Sequence, residues 1–273
     1  MEIYGCNFEY AGKSSRPYGL IFATVDTSRH KALSGQTESI IFYDNRDKKQ
    51  RYIGTSFDTS ALSFDAEVVS RNPIDATSRR EIEKWLFGQI GYKKLYMDYL
   101  DDYFAESYEL VDGERKRLYL NCRFVNPTKV EANGTVGYKF TVECDSHLAW
   151  QDPVVKEFSL NHVATIASSL VNVEVDSDIG DYIYPKVTIL VGSNGGTITI
   201  ANHSDDSSRL TRFVDMAPNS TIIMNGATNY ISGDYYEKFA YKNFVRLLDG
   251  DNQMYVTGNV KDIKLEWQNM RYL

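Results

Sequence analysis

Residues 128–144 spell TKVEANGTVGYKFTVEC and contain the clearest hairpin signal in the first half of the sequence. Asn133-Gly134 tolerates the positive φ angles of a tight turn, whose twist matches that of the flanking strands. After this turn every second residue is apolar: Val136, Tyr138, Phe140, Val142 and Cys144. Such alternation is typical of a strand with one buried face and one exposed face. The stretch therefore predicts two antiparallel strands, Thr128–Ala132 and Thr135–Cys144.

The same turn signal recurs along the chain beside other short alternating segments. It appears at Asp112-Gly113, Asn194-Gly195-Gly196, Asn225-Gly226 and Asp249-Gly250. Short strands separated by such turns indicate a mainly β protein. In the first half the predicted strands, besides the hairpin, are Ile3–Tyr10, Tyr18–Asp26, Ser39–Tyr43, Leu62–Ser70, Lys94–Tyr99, Tyr108–Leu110 and Leu118–Val125.

One segment has helical rather than strand periodicity. Ile82, Trp85 and Leu86 recur at the spacing of one helix face, with charged residues between them. Asn72-Pro73 ends the preceding strand; Asp75, Thr77 or Ser78 can cap the helix, and Gly88 can end it. We predict a helix over residues 76–87. Trp85 is expected to anchor a core rather than to serve as an exposed binding platform.

A domain boundary is predicted at Trp150-Gln151-Asp152-Pro153, because proline restricts its neighbour and cannot donate to a β-ladder. The chain then divides into residues 1–152, a β-barrel-like domain with one helix, and residues 153–273. Strands with turn signals every 8–12 residues or so indicate a sandwich or jelly roll in the second domain. Its predicted strands are Val154–Leu160, Ser169–Val175, Lys186–Val191, Thr197–Ala201, Arg212–Val214, Thr221–Met224, Thr228–Ser232 and Asn259–Trp267.

Composition limits the classes of partner. The net charge is −7, which opposes non-specific attraction to nucleic acid. No signal peptide is recognised at the N-terminus, and no apolar run approaches the roughly 20 residues that span a bilayer. The three cysteines form no Cys-x-x-Cys pair, which favours synthesis in a reducing compartment. The chain has 20 tyrosines. Either contacts with other proteins or the high strand propensity of tyrosine explains this number.

Candidate catalytic and metal-binding residues do not form a recognisable constellation. His30, His147, His162 and His203 lack metal-ligand spacing. Adjacent residues of a strand point to opposite faces, so Asp145-Ser146-His147 is not expected to be a triad. A turn stabilised by aspartate side chains is expected at Asp176, Asp178 and Asp181. A solvated loop is expected to contain the acidic residues Asp98, Asp101, Asp102, Glu106 and Glu109. We expect no catalytic residue, no cofactor and no metal, and therefore no enzyme.

The order of features resembles the distal tail proteins of phages with long tails. In the first half the matching elements are Tyr18-Gly19-Leu20-Ile21, Trp85-Leu86, Tyr92-Lys93-Lys94-Leu95, Tyr138-Lys139-Phe140-Thr141-Val142, Trp150 and Pro153. In the second half they are Gly180-Asp181, Pro185, Gly196-x-Ile198-x-Ile200-x-Asn202, Phe213, Ile222-Ile223-Met224-Asn225-Gly226, Leu248-Asp249-Gly250-Asp251-Asn252 and Gly258.

This resemblance implies a structural virion protein at the distal end of the tail, made and assembled in the host cytoplasm. Six copies of the first domain would close into a ring, and a galectin-like second domain would project outward. The implied partners are the tail tube protein, a tail-associated fibre or lysin protein, and receptor-binding or baseplate proteins. No nucleic acid and no membrane insertion are expected.

The chain departs from galectins at the sugar site. His203 is followed by Ser204-Asp205-Asp206 rather than by a His-x-Asn-x-Arg group, and the second half has a tryptophan only at Trp267. A docking surface is therefore expected there. The alternative functions are a carbohydrate-binding β-sandwich module or adhesin and, third, a β-sandwich glycan hydrolase, which would need two facing carboxylates.

Overall fold

A computed structural model describes residues 5–23, 61–97, 117–178 and 180–272, and the backbone of 36–44 and 50–59. Contacts divide the chain into two compact units, residues 1–151 with 272–273, and Asp152–Arg271. Both are β-rich, as predicted.

The described part of unit 1 contains ten strands, one 3₁₀ turn at Arg16–Tyr18 and the helix α1. The strands are β1 (Phe8–Tyr10), β2 (Lys13–Ser14), β3 (Leu20–Ala23), β4 (Gln36–Asp44), β5 (Gln50–Thr59), β6 (Ser63–Ser70), β7 (Lys93–Met97), β8 (Leu118–Glu131), β9 (Thr135–Cys144) and β10 (Ala149–Gln151). Helix α1 spans Ala76–Phe87.

The larger sheet of unit 1 is antiparallel, with strand order β2-β1-β7-β8-β9-β6-β3, and β10 pairs with β8. Near the two ends of this path, Cys6 and Phe22 form an isolated bridge with two backbone hydrogen bonds of 3.1 and 2.9 Å. A bridge is not a continuous ladder, so the barrel-like sheet is not a closed barrel among the described residues. Strands β4 and β5 pair with each other in a separate two-stranded sheet.

The predicted hairpin is confirmed, with one correction. Strands β8 and β9 are antiparallel, and Asn133 and Gly134 adopt φ angles of 55° and 121° at their turn. The sequence predicts two strands, Leu118–Val125 and Thr128–Ala132, where the structure has the single strand β8. Asn126 adopts φ 54°, and the register shifts between Val125 and Thr128. A β-bulge therefore accommodates Asn126-Pro127 within one continuous strand.

Helix α1 has the predicted bounds, 76–87, because both ends are encoded locally. Asp75 is the N-cap, and its Oδ1 accepts hydrogen bonds from the amides of Thr77 and Ser78 at 2.9 and 3.0 Å. At the other end the Gly88 amide donates to the Lys84 carbonyl. A Cβ on Gly88 would lie 2.5 Å from that same oxygen, which explains the glycine.

Trp85 anchors the core of unit 1, as predicted. Its ring is buried, stacks on Phe8 and Tyr18 at centroid distances of 5.6 and 5.5 Å, and donates from Nε1 to the Tyr10 carbonyl at 2.7 Å. Further rings continue this aromatic core across the sheet: Tyr10 on Phe124, Phe124 on Phe140, and Phe140 against Phe22 and Phe87. The helix thus covers one face of the sheet through aromatic contacts.

Within residues 152–178 and 180–271, unit 2 contains ten strands and a short 3₁₀ helix at Gly233–Tyr236. The strands are β11 (Val154–Ser159), β12 (Ser168–Val175), β13 (Lys186–Val191), β14 (Gly196–Asn202), β15 (Leu210–Met216), β16 (Thr221–Asn225), β17 (Tyr230–Ile231), β18 (Gly250–Thr257), β19 (Val260–Trp267) and β20 (Met270–Arg271). No α-helix occurs in the part of this unit that the structure describes.

Two antiparallel sheets form unit 2: β11-β19-β13-β16-β17 and β12-β18-β14-β15. Along the strands, buried aliphatic residues alternate with exposed ones, as in Val171, Val173 and Val175 of β12. Such alternation in both sheets fits a β-sandwich, in which two inner faces share one core.

Several sequence predictions for strands and turns are wrong. Tyr18 belongs to the 3₁₀ turn, and β3 begins at Leu20. Strands β5 and β18 were not predicted. At Asn225-Gly226 the chain turns without positive φ at either residue; Gly226 is needed because a Cβ would lie 2.7 Å from Cδ1 of Tyr184. Tyr108–Leu110 and Asp112-Gly113 lie outside the described residues.

Candidate interaction surfaces

The outer face of the four-stranded sheet of unit 2 carries an apolar row. Leu170 of β12 lies opposite Tyr255 of β18, and Tyr255 lies opposite Ala201 of β14. Leu170 and Tyr255 are 44% and 38% exposed. The imidazole of His203 lies against the Tyr255 ring, with centroids 4.4 Å apart. These strands therefore display an aromatic and an aliphatic side chain side by side.

The rows above and below carry hydroxyl and amide groups. Ser168 lies opposite Thr257, with their hydroxyl oxygens 2.9 Å apart. On the other side of the apolar row, Asn172 lies opposite Gln253, and both are exposed. Neither row contributes a charge on β12 or β18, so this part of the face is uncharged.

A loop at one end of the same sheet, residues 160–167, exposes two aliphatic side chains. Val163 and Ile166 are 73% and 85% exposed. The backbone beside them is held by buried Asn259, whose Nδ2 donates to the carbonyls of His162 and Val163. Asn194 Nδ2 also donates to the Val163 carbonyl, at 2.8 Å. The loop is thus fixed by hydrogen bonds while its aliphatic side chains face solvent.

His162 fastens the same loop from its other side. One ring nitrogen lies 2.9 Å from the Gly258 carbonyl, and the other lies 2.7 Å from the hydroxyl of Ser169. Both nitrogens are therefore used in hydrogen bonds within unit 2. This histidine has a structural role.

The outer face of the five-stranded sheet is charged. Lys264 pairs with Glu157 at 2.9 Å, and Lys186 with Glu266 at 3.4 Å. On the same face, the Ser159 hydroxyl donates a hydrogen bond of 2.8 Å to the Asp262 carboxylate. These pairs lie across neighbouring strands, where opposite charges are favourable. This face therefore carries charge pairs across its strands, which the Leu170–Tyr255 row of the other sheet lacks.

The loops that precede β13, β15 and β18 hold a partly buried ion pair. Arg246 makes a two-pronged contact with Asp205, at 2.7 and 3.0 Å, and its guanidinium lies 3.6 Å from the centre of the Tyr182 ring. The hydrogen bond to Asp205 raises the pKa of Arg246. Nearby Arg209 donates to the Phe244 carbonyl at 2.6 Å. These contacts tie three loops together and leave no open acid–base pair among them.

A shallow depression of about 410 Å³ lies beside helix α1 in unit 1. Its lining includes Tyr18 and Trp85, which are already committed to the aromatic core. The remaining side chains around it are Lys13, Glu81, Lys84 and Gln89. This depression is a by-product of helix packing rather than a built site.

The residues of Asp145-Ser146-His147 do not converge into a triad. Asp145 accepts a hydrogen bond from Nδ2 of Asn121, and the Ser146 hydroxyl accepts from the Leu148 amide at 3.2 Å. The His147 ring lies 6.5 Å from that of Tyr272. Serine and histidine thus take part in separate contacts.

The acidic motif Asp176-x-Asp178-x-x-Asp181 has a partner that its spacing does not reveal. The Arg271 guanidinium bonds to the carboxylates of Asp176 and Asp178 at 3.0 and 2.8 Å, whereas Asp181 accepts from the amide of Tyr182 at 2.7 Å. The carboxylates of Asp176 and Asp178 raise the pKa of Arg271 against the effect of its burial. The predicted Asp-stabilised turn therefore also includes a distant arginine.

Within the described ranges, no three His, Cys, Asp or Glu side chains are grouped so as to hold a metal ion. His30 and the acidic stretch from Asp98 to Glu109 lie outside them. Trp267 is buried and donates from Nε1 to Asn269 at 3.0 Å, so it is not a stacking platform. Among the helices that the structure describes, none has the length and apolar character to cross a membrane.

Comparison of the sequence with family profiles assigns the chain to a protein family. A family profile described as the phage tail protein N-terminal domain matches residues 3–146, more than half of the chain. The chain belongs to this family of phage tail proteins. A second profile, the phage tail C-terminal domain, matches residues 148–267. A comparison with curated proteins gives no match.

Comparison with solved structures finds a similar fold. The fold is similar to that of the Dit protein (gp 19.1) of phage SPP1, with a TM-score of 0.61 and 11% identity over 98% of this chain and 99% of that one. The SPP1 protein is described as a paradigm of the hub adsorption apparatus in phages that infect Gram-positive hosts. A chain of the phage P2 baseplate gives a TM-score of 0.48 and 9% identity over 97% and 98% of the two chains.

Proposed function

We propose that this tail protein is a structural component of the distal end of a phage tail, where it joins the tail tube to the host-adsorption apparatus. The observation that carries the proposal is that two phage tail domain profiles match in order and together cover most of the chain. The fold of the SPP1 hub protein also extends over nearly the whole chain. We infer a non-catalytic, virion-located role, since the related proteins are structural.

Residues 1–152 would close six copies into a ring, and residues 153–273 would project from it as a galectin-like sandwich. A ring needs a heterologous interface that repeats around an axis. The separate β4–β5 hairpin suits such an interface, because an isolated two-stranded hairpin is at best marginally stable in water. Contact with a neighbouring copy would stabilise its long strands.

The proposed partners follow from this position in the tail. The tail tube protein would contact one side of the ring, and a tail-associated fibre or lysin protein the other. Receptor-binding or baseplate proteins would bind the projecting domains. Each of these interfaces would be protein-to-protein, and neither nucleic acid nor a membrane is a proposed partner.

Light scattering and negative-stain microscopy of the purified full chain test the ring. We expect a particle of six 31.2 kDa chains, formed either alone or on addition of the tail tube protein. A matched variant would replace residues 36–59 with a Gly/Ser linker and should remain monomeric. A strictly monomeric wild-type chain at high concentration, with no ring in the presence of the tube protein, would contradict the proposal.

A further inference from the structure

We propose that Cys122 and Cys144 form a disulfide across strands β8 and β9 when the protein meets hydrogen peroxide. Both residues are free thiols in the structure, as expected of a chain made in a reducing compartment. Oxidation would add one covalent bond to the core of unit 1. The reaction needs no tail partner and is therefore separate from the proposed function.

The two cysteines lie directly opposite each other in the β8–β9 ladder. The Asp145 amide donates to the Asn121 carbonyl at 3.0 Å, whereas the Cys144 amide turns away from β8 and donates to the Leu62 carbonyl at 2.9 Å. Cys122 and Cys144 are thus a non-hydrogen-bonded pair, in which the Cα atoms are about 4.5 Å apart. A disulfide spans Cα separations of about 4.4–6.8 Å. The register of the two strands therefore suits the bond.

The two side chains also share one face of the sheet. Cys122 and Cys144 are 0% and 4% exposed, and both belong to the hydrophobic core of unit 1. Burial raises the pKa of the Cys122 thiol, and hydrogen bonding with the Cys144 thiol raises it further. The two sulfur atoms are therefore already neighbours, and the strands need not shift to bring them together.

Cys144 is the thiol expected to react first, because it ends β9 and is slightly exposed, whereas Cys122 is fully buried. The Cys144 thiolate would attack one peroxide oxygen; the O–O bond breaks, and the released hydroxide takes up a proton to become water. The product is a sulfenic acid, which condenses with a nearby thiol. The Cys122 sulfur would attack the sulfenic sulfur, the S–O bond breaks, and a second water leaves with the Cys122 proton. Two thiols thereby lose two electrons, and one peroxide becomes two water molecules.

Cys6 has a different environment and serves as an internal control. It forms its isolated bridge with Phe22, so the residue opposite it in the sheet is not a cysteine. Two sulfurs alone do not make a metal site, and in the part of the chain that the structure describes no third ligand completes one. A link between the two opposed thiols is thus the chemistry that this pair favours.

The bond would close a loop that contains the turn at Asn133-Gly134. A disulfide stabilises a protein mainly by restricting its unfolded chain. In the reduced protein this loop is held only by the β8–β9 ladder and by side-chain packing. For a loop of this size we expect oxidation to raise the urea midpoint of unit 1 by about 1 M.

Peptide mass spectrometry of the purified full chain tests the link. The protein would be treated with millimolar hydrogen peroxide, its remaining thiols blocked with iodoacetamide, and the product digested with trypsin without reduction. Trypsin releases Cys122 in residues 118–123 and Cys144 in residues 140–156. The wild type would be compared with Cys144→Ser and with the control Cys6→Ser. Urea unfolding of each oxidised protein would be measured with and without dithiothreitol.

We expect the two peptides to appear as one cross-linked species from most molecules of the wild type and of Cys6→Ser. The rise in urea midpoint should disappear on addition of dithiothreitol, and Cys144→Ser should show neither the species nor the rise. If Cys144→Ser does not fold, the wild type with and without dithiothreitol decides alone. Thiols that stay reduced, or that are recovered as separate sulfinic acids, would overturn the proposal. A cross-link from either residue to Cys6 would overturn it as well.

Discussion

The two units of this protein bury their sheets in different ways. Unit 1 covers one sheet with a helix, and its core is aromatic, with Trp85 stacked between Phe8 and Tyr18. Unit 2 has two sheets and a mostly aliphatic core, and its buried polar groups include Asn202, Asn252 and Asn259. In unit 1 the large rings fill the space between helix and sheet. In unit 2 asparagine amides fasten the loops at the ends of the strands.

This difference shows where each unit is vulnerable. An aromatic core loses most when a ring is removed, because packing cannot refill the volume. A sandwich with buried asparagines loses most when an amide is removed, because its backbone partners are then left without hydrogen bonds. The following substitutions test this contrast in the full chain.

The largest effect is expected for Trp85→Ala. This change deletes the stacking contacts and the hydrogen bond to the Tyr10 carbonyl, and it should lower the free energy of unfolding of unit 1 by about 4 kcal/mol. Hydrogen exchange measured by mass spectrometry, peptide by peptide across a urea series, would locate the loss. Protection should fall in β1, β7 and β8.

The control for this change is Ile90→Ala, since Ile90 is 90% exposed beside the same helix. It should leave the urea midpoint of unit 1 unaltered. Equal loss of protection in both units of Trp85→Ala would break the comparison, because the two cores would then unfold as one.

A smaller effect is expected for Asn252→Ala in unit 2. Its Oδ1 accepts from Asn202 and from the Leu248 amide, and its Nδ2 donates to the carbonyls of Leu248 and Gly250, all within 2.9 Å. Removing these bonds should cost about 2–3 kcal/mol, confined to unit 2. The same exchange experiment measures it.

Asn172→Ala is the matched control, because Asn172 is exposed on β12, the strand next to β18. A loss in the control as large as in Asn252→Ala would mean that strand propensity, rather than the buried amide, is what matters. The contrast between the two cores would then be weaker.

The smallest effect is a pH dependence confined to unit 1. The hydrogen bonds from the hydroxyl and amide of Ser78 lower the pKa of Asp75 below its ordinary value of about 3.9. The charged cap therefore stabilises the helix above the unfolded pKa, and this contribution is lost as the pH falls through the folded pKa. The wild type should therefore lose stability as the pH falls from about 5 to about 3, around the pKa of an ordinary Asp carboxyl.

Asp75→Asn should flatten this dependence while keeping a cap, since asparagine is an equally good N-cap. The urea midpoint of unit 1 at several pH values measures the difference between the two proteins. Parallel curves for the wild type and Asp75→Asn would show that the Asp75 carboxylate does not contribute.

Local signals allowed much of the fold to be predicted. The α1 bounds follow from a cap, a periodic apolar face and a glycine, all within 14 residues of one another on the chain. The β8–β9 turn follows from Asn133-Gly134 in the same way. The whole of β18 was missed because its first half consists of Gly250, Asp251, Asn252 and Gln253. Asn252 is buried there, and one of its hydrogen bonds comes from Asn202, 50 residues earlier.

The apolar row on the outer face of unit 2 could not have been predicted in the same way. Leu170 and Tyr255 become neighbours through the pairing of β12 with β18, and Asn259 supports a loop nearly 100 residues earlier in the chain.

By itself, the sequence determined the mainly β fold, the single predicted helix and the turns, because backbone preferences and side-chain alternation act between residues close together on the chain. The tertiary structure decided which strands pair, which amides are buried and which exposed side chains share a face. Those outcomes depend on register between distant segments, and a shift of one residue would turn every side chain of a strand to its other face.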